Sequence, residues 1–335
     1  MTPNAIIDPP ASPIQLDPEV KAAAARLKGE DLCSIADLSS AEVRSIIKLG
    51  HEVKRNPRAW RHALDAKQMI LIFEKASLRT RLSFETAINT TGGNAIFVDQ
   101  TKQPLGERES IYDVAKNVER WVDVIVLRTY AHDTVTEMAA NASVPVINAL
   151  SDFEHPCQAL ADFMALEERY GSLPGLNFSY IGDGNNVAHS LMLTGAQLGV
   201  NVTVATPRGY SPDIEIVTIA REIAAKNNCE IRLVQDPIAA AENADAIYTD
   251  VCVSMGMEHE STKRAPIFRP FQINEALMSK ARPNAAFMHC LPARRNEEVT
   301  DAVIDGPNSI VFDQAENRLH AEKALLLMLL GGLDA

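Results

Sequence analysis

The chain has 335 residues, 46% of them hydrophobic and 23% charged, so it is long enough to form about two globular domains. Its 32 Lys and Arg residues and 44 Asp and Glu residues give a formal net charge of −12. This acidic balance argues against a nucleic-acid partner, but it leaves small anionic ligands open, because their sites need only a few local cations.

Predicted helices and strands alternate along the chain. The N-terminal segment, to about Pro18, is rich in proline and aspartate and is predicted to be an irregular arm. The apolar spacing from Val43 to Leu49 predicts an amphipathic helix with Ser39 as its N-cap. Buried strands are predicted at residues 68–73, 94–98, 123–127, 144–150, 177–182, 201–205, 230–234, 246–250 and 285–290.

The order of these elements predicts the fold class. Strands separated by helical crossovers form parallel sheets, so we expect an α/β protein with two doubly wound domains, each a mostly parallel sheet flanked by helices. The helical pattern at 156–170 separates two groups of strands, which predicts domains at 1–150 and 151–317. A last helix is predicted at roughly 315–330, and periodicity does not settle which domain it joins.

The segment FEKASLRTRLSFE (73–85) places a strand end directly before a helical pattern. Ser77 is the predicted N-cap, and Arg79, Thr80 and Arg81 fall in the first helical turn. Free N–H groups and the helix dipole already favour an anion at this end, so two arginines there indicate a phosphate site. The alternative is a capped helix whose arginines are solvated.

The segment SDFEHPCQALAD (151–162) follows another predicted strand. Pro156 suits the first helical position and holds His155 extended, so that His155 and Gln158 can face one ligand. In the alternative interpretation, His155 is a structural cap and Cys157 a small buried apolar residue.

The segment YIGDGNNVAHS (180–190) is predicted to be a strand, a glycine-rich turn and a helix. It matches a dinucleotide-binding fingerprint only in part, because Val187 stands where the third glycine belongs. Asn185 and Asn186 would present amides to a zwitterionic ligand, or would serve only as turn residues. A nucleotide-dependent oxidoreductase and a non-catalytic protein that binds anionic metabolites remain as alternatives.

Two later strands end in residues that could carry chemistry. Asp250 ends one strand before a polar loop with Ser254 and Met255, where its carboxylate could bind a ligand ammonium group or cap the next element. Cys290 and Leu291 follow the last strand, and the proline after Leu291 restricts its backbone. The alternative for this cysteine is inert packing.

Several signatures are absent from the sequence, which contains no H-E-x-x-H, G-x-S-x-G or Walker-type motif. The five cysteines include no C-x-x-C pair, so neither a disulfide framework nor a zinc site is indicated. The N-terminal segment has the features of neither a secretory signal nor a transit peptide, and the apolar stretch 324–333 is too short to span a bilayer. We expect a cytoplasmic protein with no cofactor, no metal and no membrane partner.

The motifs FEKASLRTR, LRTYAH, HPCQ, GDGNN, DVCVSMG, HCLP and AENRLHA occur in this order, and through them the chain resembles the ornithine carbamoyltransferases over most of its length. The resemblance implies transfer of a carbamoyl group from carbamoyl phosphate to L-ornithine, in arginine metabolism. It also implies a homotrimer with a carbamoyl-phosphate domain (1–150), to which a terminal helix at about 318–335 returns, and an ornithine domain (151–317).

The resemblance further implies a role for individual residues. Carbamoyl phosphate would be held by Ser77, Leu78, Arg79, Thr80, Arg128, His155, Gln158, Cys290, Leu291 and Arg318. Ornithine would be held by Asn186, Asp250, Ser254 and Met255. The catalytic set would be Asp250, Cys290, Arg128 and His155. Arg318 is predicted to lie in the first turn of the last helix.

One position departs from the commonest pattern of the family, S-T-R-T-R, because Leu78 stands where threonine is usual. We expect a small effect, since that position acts mainly through its N–H. A branch that uses N-acylated ornithine has a similar motif and a similar HCLPxRRN segment, but it lacks GDGNN and SMG. Their presence here favours free ornithine, whose ammonium group can pair with Asp250, and leaves an acylated ornithine or another amine as the alternative.

Overall fold

The computed structural model describes residues 15–253 and 260–333. Its α-helices are α1 (Pro18–Leu27), α2 (Ser40–Arg55), α3 (Leu78–Asn89), α4 (Ile111–Val118), α5 (His132–Asn141), α6 (Pro156–Tyr170), α7 (Asn186–Leu198), α8 (Ile214–Lys226), α9 (Pro237–Ala241), α10 (Ser261–Phe268), α11 (Glu275–Met278), α12 (Asp301–Ile304) and α13 (Val311–Leu329). Its strands are β1 (Gln68–Phe73), β2 (Asn94–Asp99), β3 (Val124–Arg128), β4 (Val146–Leu150), β5 (Asn177–Ile181), β6 (Asn201–Ala205), β7 (Ile231–Val234), β8 (Ala246–Thr249) and β9 (Ala286–His289).

The strands form two separate parallel sheets. One has four strands in the order β2-β1-β3-β4, and the other has five in the order β7-β6-β5-β8-β9. Every pairing within both sheets is parallel, because helices cross over between successive strands. The predicted fold class, two doubly wound α/β units with parallel sheets, is confirmed.

Each predicted strand is present, and the predicted and observed strands differ only in the residues at which they begin or end. The strand predicted at 144–150 begins at Val146, because Pro145 has no N–H to donate to the ladder. The helix N-caps at Ser39 and Ser77 are also observed: each side chain accepts a hydrogen bond from an N–H in the first turn. These features depend on neighbouring residues only, which is why the local pattern predicted them.

Helix α1 begins at Pro18, where the predicted irregular arm ends, and the sequence pattern did not predict this helix. Asp17 caps this helix, and its apolar face buries Val20, Ala24 and Leu27. Half of the buried residues of α1 are alanines, so the hydrophobic periodicity of the sequence is weak there. The rest of the predicted arm lies outside the described residues.

The last helix starts earlier than predicted, since the pattern placed it at roughly 315–330 and the resemblance at about 318–335. Helix α13 begins at Val311, where Gln314 N already donates to Ile310 O, and it ends before Gly331, whose φ of 74° is left-handed. Arg318 therefore lies about two turns inside the helix, away from its N-terminus. Among the described residues no helix, not even the 19-residue α13, is long and apolar enough to cross a membrane.

Helix α13 positions the site because it packs against elements from distant parts of the chain. It contacts α2, α3 and α6, and its residues 321 and 324–329 are buried in the main hydrophobic core. This packing brings the middle of α13 to the N-terminus of α3. The last helix therefore packs against α2 and α3 from the first part of the chain and against α6, which lies between the two groups of strands.

Candidate active site

One cavity of about 320 Å³ lies at the carboxyl ends of strands from both sheets. Ligand sites of open parallel sheets lie at this edge. The cavity is lined by every predicted site residue that the structure describes: Ser77, Leu78, Arg79, Thr80, Arg128, His155, Gln158, Asn186, Asp250, Cys290, Leu291 and Arg318. Ser254 and Met255 lie outside the described residues.

The N-terminus of α3 forms one wall of the cavity. Ser77 Oγ accepts the N–H of Thr80 (3.3 Å) and donates to Thr80 Oγ1 (3.0 Å), which fixes the first turn. The N–H groups of such a first turn have no partners within the helix. Arg79 follows at the same end of the helix, and Arg81 turns away to Glu85 (2.8 Å) and the ring of Phe97. The cavity therefore receives one of the two arginines of this turn.

Two further arginines reach the same point from other elements. Arg128 Nη1, at the end of β3, lies 3.5 Å from Thr80 Oγ1, and Arg318 Nη2 lies 3.4 Å from the same atom. Burial lowers the pKa of Arg128, and the neighbouring charges of Arg318 and Arg79 lower it further. Together with Arg79, which lines the same cavity, these guanidinium groups repel one another and form a strong binding site for an anion.

Arg318 is held in this place by contacts along α13 and from α6. Its Nε and Nη2 donate to Glu322 Oε1 (2.9 and 2.6 Å), and its Nη1 donates to Gln158 Oε1 (2.8 Å). Gln158 in turn donates to Asp162 (2.7 Å). The prediction that Arg318 sits in a first helical turn was wrong, so the ion pair with Glu322, and not a capping contact, orients this arginine.

His155 lies between this cluster and the second sheet, directly after the loop that follows β4. Its imidazole is buried, and its pKa lies well below the usual value because of burial and of the nearby charges of Arg318, Arg128 and Arg79. The ring is therefore neutral around pH 7, with one N–H donor and one acceptor nitrogen. A neutral imidazole can donate a hydrogen bond to a developing negative charge without adding to the arginine repulsion.

The opposite end of the cavity carries a carboxylate. Asp250 follows β8, and its oxygens accept from Asn185 Nδ2 (2.8 Å), Val251 N (2.7 Å) and Cys290 Sγ (3.0 Å). All three donors are uncharged, and Asp250 is 6% exposed. The negative charge at this end is not balanced within the described chain, so it can pair with a ligand ammonium group.

The glycine-rich turn is explained by local packing. Asn185 Oδ1 accepts the N–H groups of Val187 (3.0 Å) and Ala188 (3.2 Å) and so caps α7, and a Cβ on Gly184 would collide with the backbone at 210–212. Asn186 Nδ2 donates to Ser151 O (2.6 Å) while the residue lines the cavity. For Asn185 the alternative interpretation, a turn and cap residue, holds.

Cys290 and Leu291 close the cavity after β9. Leu291 has a φ of 56°, the Leu291–Pro292 bond is cis, and Leu291 N donates to His289 Nδ1 (2.8 Å). Burial and Asp250 raise the pKa of Cys290 well above its usual value, so this thiol is protonated and acts as a donor to Asp250.

The described residues offer one group with spacing suitable for a metal ion. Ligand atoms of Asp250, His289 and Cys290 lie within 4.8 Å of one another. His289 Nδ1 already accepts the N–H of Leu291, and its Nε2 lies 3.2 Å from Glu298 Oε1. Both imidazole nitrogens are thus engaged and the thiol is protonated, so the group does not fit a metal ion as it stands.

Two charged cavity residues were missed in the sequence. Lys75 precedes α3 in the same loop as Ser77, and its Nζ lies 4.6 Å from the centre of the Tyr130 ring. Its position just after a strand's carboxyl end was a signal that could have identified it. Arg294 also lines the cavity, beyond the cis proline, where no periodic pattern indicates which side chains turn inward.

The fold and the site together define a two-substrate α/β enzyme that brings an anion and an amine into one cavity. Family models confirm and narrow this class. The carbamoyl-P binding domain of the aspartate/ornithine carbamoyltransferases matches residues 30–168, and their Asp/Orn binding domain matches residues 174–329. The chain belongs to this family, as the ordered motifs indicated.

Known relatives are similar in sequence to this chain over almost its whole length. The ornithine carbamoyltransferase of Pyrococcus abyssi is 49% identical over 309 residues, which cover 92% of this chain and 98% of the relative. That of Bacillus subtilis is 46% identical over 304 residues, covering 91% and 95%. The solved ornithine carbamoyltransferase of Pyrococcus furiosus superposes with a TM-score of 0.89 at 48% identity, covering 91% of this chain and 98% of that one.

Proposed function

We propose that this chain transfers the carbamoyl group of carbamoyl phosphate to the δ-amine of L-ornithine, giving L-citrulline and phosphate. The observation that carries the proposal is one cavity with Arg79, Arg128 and Arg318 at one end and the unbalanced carboxylate of Asp250 at the other. These charges complement a phosphate ester and an amino acid that carries an ammonium group. Family membership supports both substrates.

At the arginine end, the phosphate group binds to the first turn of α3. The hydroxyl of Ser77, the peptide N–H of Leu78 and the side chains of Arg79 and Thr80 face it, and Arg318 completes the set. The leaving phosphate gains negative charge as the C–O bond breaks. Arginines already oriented by Glu322 and Thr80 stabilise that charge without reorganising.

In the middle of the cavity the carbonyl carbon is attacked. The δ-nitrogen forms a C–N bond, the carbonyl oxygen becomes negative in a tetrahedral intermediate, and the C–O bond to phosphate then breaks. Arg128, Thr80 and the neutral His155 donate hydrogen bonds to this oxygen. Gln158 and the carbonyl group of Leu291 hold the carbamoyl amide. The proton of the amine passes to the departing phosphate, so no covalent enzyme intermediate is needed.

At the acidic end, ornithine is oriented by its α-substituents. Asp250 pairs with the α-ammonium group, Cys290 holds Asp250 by its thiol proton, and Asn186 contributes an amide. We also assign Ser254 and Met255 to this end from the family motif DVCVSMG. The contribution of these residues is positional: they place a deprotonated δ-amine in line with the carbonyl carbon.

The organisation around this reaction is also part of the proposal. Residues 1–150 with the last helix form the carbamoyl-phosphate domain, and residues 151–317 form the ornithine domain. The protein works in the cytoplasm as a homotrimer. Leu78, Leu82 and Ile96, which are 72%, 51% and 46% exposed, provide an apolar surface that a neighbouring subunit would cover. Sedimentation equilibrium measures this assembly directly.

A citrulline assay with four amines tests the reaction. Carbamoyl phosphate is supplied with L-ornithine, N-acetylornithine, putrescine or aspartate, and product is measured colorimetrically and by mass spectrometry. We expect turnover with ornithine and at least about 10²-fold less with the other three, because only ornithine brings both an α-ammonium group for Asp250 and a free δ-amine. N-acetylornithine and putrescine lack the α-ammonium group of an amino acid, and aspartate lacks the δ-amine. Preferred turnover of N-acetylornithine or putrescine would replace ornithine in the proposal, and phosphate binding without any turnover would favour a binding protein.

A further inference from the structure

The imidazole of His155 is held in the cavity by its backbone alone. Within the described chain neither ring nitrogen forms a hydrogen bond, and Nδ1 is a buried atom without a partner. The backbone on the C-terminal side is fixed by Pro156, which starts α6. The position of the ring therefore depends on what fixes the backbone on its N-terminal side.

On that side a chain of hydrogen bonds leads from His155 to a buried carboxylate. The peptide N–H of His155 donates to Ser190 Oγ (2.9 Å), and Ser190 Oγ lies 2.8 Å from Glu154 Oε2. A peptide N–H can only donate, so Ser190 accepts it and gives its own proton to Glu154. Ser190 belongs to α7, so this chain ties the loop before α6 to the second sheet's layer of helices.

Glu154 is held from the opposite side by the N-terminal part of the chain. Ser34 Oγ donates to Glu154 Oε1 in a short hydrogen bond, and Ile35 N donates to Oε2 (3.3 Å). Glu154 is completely buried, and its partners in the part of the chain that the structure describes are all uncharged donors. A buried carboxylate without a cation is costly, so its three donors contribute to the stability of the folded state.

We propose that Glu154 is a positioning residue for the carbamoyl transfer proposed above, and that it sets the place of the His155 imidazole through Ser190. The side chain of Glu154 does not line the cavity, so it acts on the reaction only through His155. The carboxylate offers two acceptor oxygens to three donors that come from two separate segments, residues 34–35 and helix α7. It thereby locks the backbone before His155 to both halves of the molecule.

The variant Glu154→Gln tests the need for two acceptor oxygens with little change in volume. Its amide NH₂ would face a hydroxyl or an N–H that previously donated, so at least one hydrogen bond is lost or reversed. Ser190→Ala removes the link itself. Ser34→Ala is the matched control, because it removes a donor on the far side of Glu154 and leaves the path to His155 intact.

We expect kcat for citrulline formation to fall roughly ten-fold in Glu154→Gln and in Ser190→Ala, since misplacement by about 1 Å can cost up to 10²-fold. The inhibition constant of inorganic phosphate should stay within about two-fold of wild type, because the phosphate end does not use His155. Ser34→Ala should keep kcat within the same margin even if its melting temperature falls. The double variant of Glu154 and Ser190 should lose no more than the worse single variant, because both interrupt one path.

A second readout separates this inference from the proposed reaction. The ¹⁵N signals of the His155 imidazole should shift in Glu154→Gln and Ser190→Ala but not in Ser34→Ala. If wild type makes citrulline while kcat and these signals are unchanged in Glu154→Gln and Ser190→Ala, the inference is wrong. If wild type makes no citrulline and the signals still shift, the proposed function fails and the positioning role stands. Should Glu154→Gln not fold, Ser190→Ala decides on both readouts.

Discussion

The two ends of the cavity differ in charge from each other and from the rest of the protein. Arg79 and Arg128 form no ion pair within the described chain, and Asp250 has only uncharged donors. Arg264, by contrast, is buried together with ionic partners, because it pairs with Asp183 and with Glu260. Buried charge without a partner is unfavourable, so where a fold retains it at a cavity, a ligand of opposite charge completes it.

The largest effect should come from removing a cation that has no partner. In Arg79→Ala we expect kcat/KM for carbamoyl phosphate to fall about 10³-fold, the upper range for loss of one preorganised donor. The matched control is Arg81→Ala on the same helical turn, whose side chain pairs with Glu85 outside the cavity and should change the rate little. Steady-state citrulline assays measure both. Equal losses in the two variants would break the distinction between paired and unpaired arginines.

Removing the carboxylate at the acidic end should change a different kinetic constant, the KM for ornithine. In Asp250→Asn we expect KM for ornithine to rise about 10²-fold, because loss of one partner from a buried charge pair costs several kcal/mol, while KM for carbamoyl phosphate stays near wild type. Asp245→Asn is a control in the same sheet, since Asp245 already pairs with Arg282 and should affect stability only. A parallel rise in both Michaelis constants of Asp250→Asn would show that the two ends are not independent.

The reactivity of Cys290 gives a smaller effect that reports on the same carboxylate. Burial and Asp250 raise the pKa of this thiol, so we expect slow alkylation by iodoacetamide at neutral pH. Asp250→Asn should speed alkylation about ten-fold, the change expected for one pKa unit. Peptide-level mass spectrometry follows Cys290 separately from the other cysteines. Fast alkylation in wild type would contradict a protonated Cys290.

The smallest expected effect is on stability and comes from a paired charge, that of His51 beside Glu167 and Glu168. Burial disfavours charged His51, but Glu167 and Glu168 outweigh it and raise its pKa from 6.5 to about 9. The folded state therefore gains stability that is fully present below pH 6.5 and is lost as the pH rises towards 9. In His51→Gln we expect a loss of about 1 kcal/mol at the acid side of this window, none at the alkaline side, and unchanged turnover. Denaturant unfolding at both pH values checks the sign, and a loss that grows with pH would contradict it.

Local sequence predicted the elements whose signals are carried by neighbouring residues. The parallel strands, the serine caps of α2 and α3, and the helix start at Pro156 all depend on contacts within a few residues. Helix α1 was missed because half of its buried residues are alanines, which give a weak hydrophobic periodicity. The start of α13 was placed too late, since its first turn joins apolar and acidic residues without a capping side chain.

The convergence of the site could not be predicted from local patterns. Thr80 and Arg318 meet although 238 residues separate them, and spacing along the chain carries no information on such a contact. The family motifs supplied that grouping, and the geometry adds Lys75, Arg294 and the path from His155 to Glu154, which no motif marked. The roles of Ser254 and Met255 remain predictions from the motif alone.

The position of Arg318 near the end of the chain also affects how the protein is made. During translation the α3 turn and Arg128 leave the ribosome long before α13, so a nascent or prematurely terminated chain has no Arg318 beside Thr80. Such a fragment lacks one of the three cations that line the cavity. Only a nearly finished polypeptide can therefore form the complete anion site.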